Sequence, residues 1–246
     1  MCLVLLCRVG PMKIVQDSLN NVGYDRKVTA LLTDFAMNTS ESVLRVWTPP
    51  KQVAFGRRDT IADGYDYAQR IATQHGYEPV ERRVGGSAVA YTGHTVAFAT
   101  AIPTDSPQSG VKRRYSEVTR LMLQTLRNVG ATVTEGEPSN SFCPGQHSIM
   151  GKGKIVGIAQ RIQRNCVLVA GCVIVQSTDS AAISTVLNPI YSALDLSFEK
   201  NSVGSVAEAG GSDDVDRVIS EIKSTFTPDQ VTESINSIDI LNSDTL

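Results

Sequence analysis

The chain has 246 residues, enough for one large domain with a sizeable core, and its 41% hydrophobic and 20% charged content is that of an ordinary globular protein. A net charge of −2 gives no basic field for steering to nucleic acid, and the early apolar run from Cys2 to Cys7 is far shorter than the ~18 residues of a membrane span. The five cysteines, at positions 2, 7, 143, 166 and 172, form neither a Cys-x-x-Cys pair nor a dense disulfide framework, so no metal site is expected and reduced thiols in the cytoplasm fit best.

Residues 1–11 read as a non-structural extension ahead of Met12-Lys13-Ile14-Val15. In 25–36, Val28, Leu31, Leu32 and Phe35 fall at i, i+3, i+4 and i+7, the stripe of a packing helix. Residues 44–47 and 52–55 are predicted to pair as a hairpin around Pro49-Pro50, closing at Gly56-Arg57-Arg58. A helix over 61–75 stops at Gly76. Extended chain at 79–83 leads into a glycine loop, after which 88–91 and 95–102 are expected to pair. Residues 114–129 place Tyr115, Val118, Leu121, Met122, Leu126 and Val129 on one helical face. A short strand over 131–134 and a loop over 136–140 then lead to Ser141-Phe142-Cys143-Pro144-Gly145. Residues 154–162 and 166–175 carry few charges and form two long strands in the middle of a sheet, joined by Gln163-Arg164-Asn165. Helices follow over 183–194 and 215–226, and the polar stretch 227–246 reads as a disordered tail. Without strict strand–helix alternation the class is α+β, a mixed sheet with covering helices.

Two stretches point to chemistry. Cys143 sits on a Pro-Gly turn, with Lys154 following 11 positions later. A free thiol is only a few per cent ionised near neutral pH, so a nucleophilic role needs a cation or backbone dipoles beside it. A cysteine taken alone is more often a small buried hydrophobe, and Cys166 and Cys172, inside an apolar strand, fit that reading. His147 reads as a strand-start or neighbouring group rather than the base of a Cys-His hydrolase. The second stretch, Arg82-Arg83-Val84-Gly85-Gly86-Ser87, joins planar cationic donors to a backbone that an anion or carboxyl group can approach closely. It is neither Gly-x-Gly-x-x-Gly nor a Walker loop.

The order of the pieces, Phe55-Gly56-Arg57, then Arg82-Arg83-Val84-Gly85-Gly86-Ser87-Ala88-Val89, then Lys154-Ile155-Val156-Gly157-Ile158-Ala159-Gln160, closely resembles the lipoate-protein ligase and octanoyltransferase superfamily. With Ser141-Phe142-Cys143-Pro144-Gly145, the resemblance is greatest to its cysteine-dependent lipoyl and octanoyl amidotransferase branch. It implies a biotin/lipoate protein ligase catalytic domain, class II synthetase-like, over residues 12–226.

The implied activity is transfer of an octanoyl or lipoyl group to a lysine of a lipoyl carrier domain through a thioester on Cys143. Lys154 is its catalytic partner, set against the thiolate or aimed at the thioester oxygen. Substrate binding falls to Arg82, Arg83, Gly85, Gly86, Ser87, Tyr91, Gly157 and Ala159, and Ala88, Val89, Ala97, Ala99, Val156, Ile158 and Ala159 supply walls for an acyl tunnel. The implied partners are lipoyl domains of 2-oxoacid dehydrogenase subunits, the glycine-cleavage carrier protein and acyl carrier protein. Octanoate or lipoate is substrate, and acyl transfer requires no cofactor. An ATP-dependent lipoate ligase using ATP and Mg is the alternative. A non-catalytic acyl-binding or sensor module is another, and a redox-regulated protein pairing Cys143 with Cys166 or Cys172 a third. Ser87 in place of a third glycine, and Tyr91 where ligases often have histidine, depart from the ligase pattern.

Overall fold

The computed structural model describes residues 12–15, 17–82, 86–228 and 232–242. Strand β1 (Met12–Val15) precedes helix α1 (Val22–Thr39), whose first turn is capped by Asn21 accepting from the Tyr24 N–H at 2.9 Å. Strands β2 (Ser42–Trp47) and β3 (Gln52–Phe55) lead to α2 (Tyr65–Gln74) and β4 (Glu78–Glu81). Next come β5 (Val89–Tyr91), β6 (Val96–Pro103) and α3 (Val111–Asn128). Strands β7 (Thr134–Glu135) and β8 (Ser148–Gly151) flank the loop that carries Cys143. The hairpin of β9 (Gly153–Ile162) and β10 (Cys166–Val173) precedes α4 (Ser177–Ala193) and α5 (Val215–Phe226). Strand β11 (Thr232–Ile235) and α6 (Ser237–Asn242) complete the described chain.

The large sheet runs β11-β1-β2-β6-β10-β9-β8-β7, and a small one runs β4-β3-β5. Strands β9 and β10 occupy interior positions, as their low charge predicts. Two expected hairpins are corrected. Strand β2 pairs with β1 and β6, and β3 with β4 and β5, so 44–47 and 52–55 lie in different sheets. Pro49 and Pro50 fix φ and carry no N–H; they take the chain out of the first sheet instead of turning it back. Likewise β5 joins the small sheet while β6 joins the large one. The tail expectation is also corrected where the chain is described. Strand β11 pairs in parallel with β1, a role that its polar composition hides because an edge strand needs backbone partners more than apolar side chains.

Side-chain alternation splits the large sheet between two cores. Val46, Phe98, Val156 and Val169 meet α3 and α5 on one face, while Trp47, Ala97, Ala99 and Leu168 meet α1 on the other. The small sheet, α2 and α4 enclose a third core containing Phe55, Ala88, Val89 and Tyr191. The tunnel walls named from sequence are therefore divided. Val156 and Ile158 pack under α3 and α5, away from Ala97 and Ala99, and Ala88 and Val89 belong to the third core.

One buried ion pair ties α1 to the sheet. Arg45, with no solvent exposure, donates to Asp25 Oδ1 at 2.6 Å, to Asp25 O at 2.9 Å and to Thr29 Oγ1 at 2.7 Å. Burial pushes the Asp25 carboxyl up and the Arg45 guanidinium down, each opposed by the other's charge. Arg45→Ala leaves the carboxylate buried without its partner and is expected to cost roughly 3 to 5 kcal/mol in urea unfolding. A loss below about 1 kcal/mol would mark the pair as dispensable.

Candidate active site

Residues 136–147, between β7 and β8, form no long ladder, since Pro138, Pro144, Gly136 and Gly145 interrupt the chain. Cys143 takes φ +42°, a left-handed conformation that costs a residue with a side chain on the order of 1 kcal/mol. A buried tyrosine holds it there. The Cys143 N–H donates to the Tyr191 hydroxyl of α4 at 2.6 Å, and that hydroxyl donates to Ala88 O at 2.9 Å. Burial raises the Tyr191 pKa far above the ordinary phenol value, so the O–H is retained.

The cation facing the thiol is an arginine. Arg82, just past β4, places Nη2 3.1 Å from Cys143 Sγ and donates to Ser87 O at 2.6 Å. Burial opposes its charge, but the facing Cys143 and Tyr91 outweigh that cost and raise its pKa. Gly86, at φ +94°, admits this contact: a Cβ on it would collide with Cys143 Sγ and Arg82 Nη2. Gly56 supports the loop from below, because a Cβ there would strike the Gly86 carbonyl, and Asp59 Oδ2 accepts the Gly56 N–H at 2.7 Å.

Lys154 lies beneath the same turn, 1% exposed. Its Nζ donates to Cys143 O at 2.8 Å and Phe142 O at 3.0 Å, and meets both oxygens of Glu137 at 3.0 and 3.1 Å. The placement of Lys154 against the sulfur is thus corrected. The lysine grips the backbone of the nucleophile turn, and Arg82 meets the thiol, because Glu137 supplies a stronger counter-charge than a thiol can.

Of the residues expected at the site, Cys143, Lys154, Arg82, Gly86 and Ser87 come together, and a Cβ on Gly157 would lie 3.5 Å from Lys154 Cε. Tyr91 ends β5 and packs against both the α1 core and the small-sheet core; burial drives its hydroxyl far above the usual range. Ala159 lies two residues along β9 from Gly157, opposite Ala170. Arg83 and Gly85 lie outside the described residues. His147 stacks on Tyr115 with centroids 4.3 Å apart and faces Glu135 at 3.4 Å, so no Cys-His pair forms. Cys143, Cys166 and Cys172 are all free. Burial raises the Cys172 pKa, although Lys154 and Arg82 partly counter it. Among the described residues no group of three His, Cys, Asp or Glu side chains suits a metal ion, and no helix is long and apolar enough to cross a membrane.

Sequence reasoning missed Glu137 and Tyr191. The first lay in a stretch read only as a loop, and the second within 183–194, a segment read only as a helix. Nothing local marks either, since both act through partners far away in sequence.

The mixed sheet with helices on both faces is a fold shared with solved lipoate ligases. The chain superimposes on lipoate-protein ligase A bound with ATP at TM-score 0.73 and 17% identity, covering 95% of this chain and 93% of that one. It matches a bi-partite lipoate protein ligase from Thermoplasma acidophilum at TM-score 0.66 and 15% identity, covering 95% and 91%. These likenesses establish the fold. The model of the lipoyl protein ligase A/B catalytic domain matches residues 24–230, and the chain belongs to that family. Among curated relatives, an octanoyl-[GcvH]:protein N-octanoyltransferase of Geobacillus kaustophilus is 32% identical over 141 residues, 57% of this chain and 50% of the relative. A lipoyl-[GcvH]:protein N-lipoyltransferase of Listeria monocytogenes is 28% identical over 122 residues, 49% of this chain and 44% of the relative. The matched stretch thus spans about half the length of these relatives.

Arg82→Gln removes the cation from the sulfur while keeping a polar side chain of similar reach. Iodoacetamide alkylation of Cys143 at neutral pH is expected to slow on the order of tenfold. An unchanged rate would show that Arg82 does not activate the thiol.

Proposed function

We propose that this chain transfers an octanoyl or lipoyl group onto a lysine of a lipoyl carrier domain by way of a thioester on Cys143. The carrying observation is the setting of that thiol: it lies on a left-handed turn 3.1 Å from a guanidinium, where a packing cysteine would need neither strain nor charge. Residues 12–226 form the catalytic unit in this reading.

In the first half-reaction the Cys143 thiolate attacks the acyl carbonyl of the donor. The donor's C–N bond breaks and the leaving nitrogen takes a proton from solvent, or its C–S bond breaks and the donor sulfur leaves as thiolate if the donor is an acyl carrier thioester. In the second, the neutral amine of the acceptor lysine attacks the thioester carbonyl, the C–S bond breaks, and the thiolate returns to Arg82 while the surplus proton passes to solvent. Exchanging one amide for another consumes no nucleotide, so the reaction needs neither ATP nor Mg.

Lys154 holds the carbonyl end of the nucleophile turn, and Arg82 with Gly86 and Ser87 shapes the space beside the sulfur. We assign the neighbouring Arg83 and Gly85 to the same loop function. Strand register supplies a bed for the acyl chain. Gly157, Cys172 and Ala97 are cross-strand neighbours, as are Ala159, Ala170 and Ala99, so two rows of small side chains share the face covered by α1. Tyr91 borders this face. A C8 chain lying there would bury about six methylenes at ~0.8 kcal/mol each.

The GcvH named in the relatives fits the role of a carrier, and lipoyl domains of 2-oxoacid dehydrogenases and acyl carrier protein fit the same chemistry. Free thiols at Cys143, Cys166 and Cys172 suit the reducing cytoplasm.

Octanoyl-GcvH mixed with an acceptor lipoyl domain tests the reading. Transfer is expected without nucleotide and is expected to vanish in Cys143→Ser. If octanoate or lipoate plus ATP and Mg modifies the domain equally well in Cys143→Ser, the chain is a ligase and the thioester route is wrong.

A further inference from the structure

Glu137 stands in the loop ahead of Cys143, and the acyl-transfer scheme gives it no part. Its carboxylate binds Lys154 Nζ through both oxygens, at 3.0 and 3.1 Å, and Oε2 also accepts the Gly145 N–H at 3.3 Å. It therefore joins β9 to the far side of the Cys143-Pro144-Gly145 turn. The remaining contacts of Lys154 Nζ are the carbonyls of Phe142 and Cys143, with the Phe142 ring 4.9 Å away. Among the described residues Glu137 is the one carboxylate in an ion pair with Lys154. A buried ammonium on carbonyls alone would lack its counter-charge and would be drawn to the nearest other anion. In this site the Cys143 side chain, on the residue whose carbonyl Lys154 already holds, would be the group next to it.

We propose that Glu137 is a positioning residue for acyl transfer. It anchors Lys154 to the underside of the nucleophile turn and keeps the lysine off the sulfur, leaving the thiolate to Arg82. Glu137 makes no contact with the thiol, so it acts through Lys154 and Gly145. The inference rests on the acyl-transfer reading given above.

The test compares Glu137→Gln, which keeps the shape and loses the charge, with Glu137→Asp, which keeps the charge on a shorter arm. With octanoyl-GcvH as donor, Glu137→Gln is expected to lower kcat about 100-fold, the scale of a misplaced reacting group, while KM for the carrier stays unchanged. Glu137→Asp is expected to recover most of the loss. Thermal melting and the alkylation of Cys143 monitor folding independently of transfer, and both are expected to remain at parental values in Glu137→Asp. Parental kcat in Glu137→Gln overturns the positioning role alone, as does a rise in KM at constant kcat or failure of Glu137→Asp to exceed Glu137→Gln. A parent chain that transfers no octanoyl group overturns the acyl-transfer reading itself, and the role of Glu137 with it.

Discussion

A lysine ammonium that is 1% exposed is tolerable in a protein only when its donors and its charge are both met. Lys154 meets them with one carboxylate and two backbone carbonyls, and those carbonyls belong to the residues that carry and precede the nucleophile. The demand of one buried charge thus fixes the loop that bears Cys143. From above, the Tyr191 hydroxyl accepts a hydrogen bond from the Cys143 N–H and donates one to Ala88 O. Held between a charge below and a phenol beside it, the turn can sustain the left-handed backbone that leaves its thiol facing Arg82.

The sheet sets the distances. Lys154 enters at the start of β9, while Gly157 and Ala159 follow on the face shared with Cys172 and Ala170. Lys154 and the small residues Gly157 and Ala159 therefore follow one another along a single strand. Arg82 and Gly86 arrive from the small sheet. The site forms where the two sheets meet, and the glycines at 56 and 86 permit that approach because their carbonyl and thiol neighbours leave no room for a Cβ.

Much of this was legible in the sequence. The helical stripes of α1, α3 and α5 and the β9–β10 hairpin follow from spacing alone, and the order of the arginine-glycine loop, Cys143 and the Lys154 strand marks the family. Sheet membership was not legible. The segments around Pro49-Pro50 have the look of a hairpin, and only the pairing of β2 with β6 and of β3 with β5 shows that the prolines carry chain between sheets. Nor was the division of labour between the two cations. Spacing brought Lys154 near Cys143 but did not say which atoms it meets: its Nζ takes the Cys143 carbonyl and the carboxylate of Glu137, a loop residue that no local pattern marks. Strand β11 was hidden for another reason, since pairing through the backbone leaves no apolar signature.

The central claim is that Cys143 carries the acyl group. Intact-mass measurement of the protein after brief exposure to octanoyl-GcvH tests it most directly. The account predicts a single octanoyl increment that neutral hydroxylamine removes and that is absent from Cys143→Ala. An increment that persists in Cys143→Ala, or one that resists hydroxylamine, would contradict it.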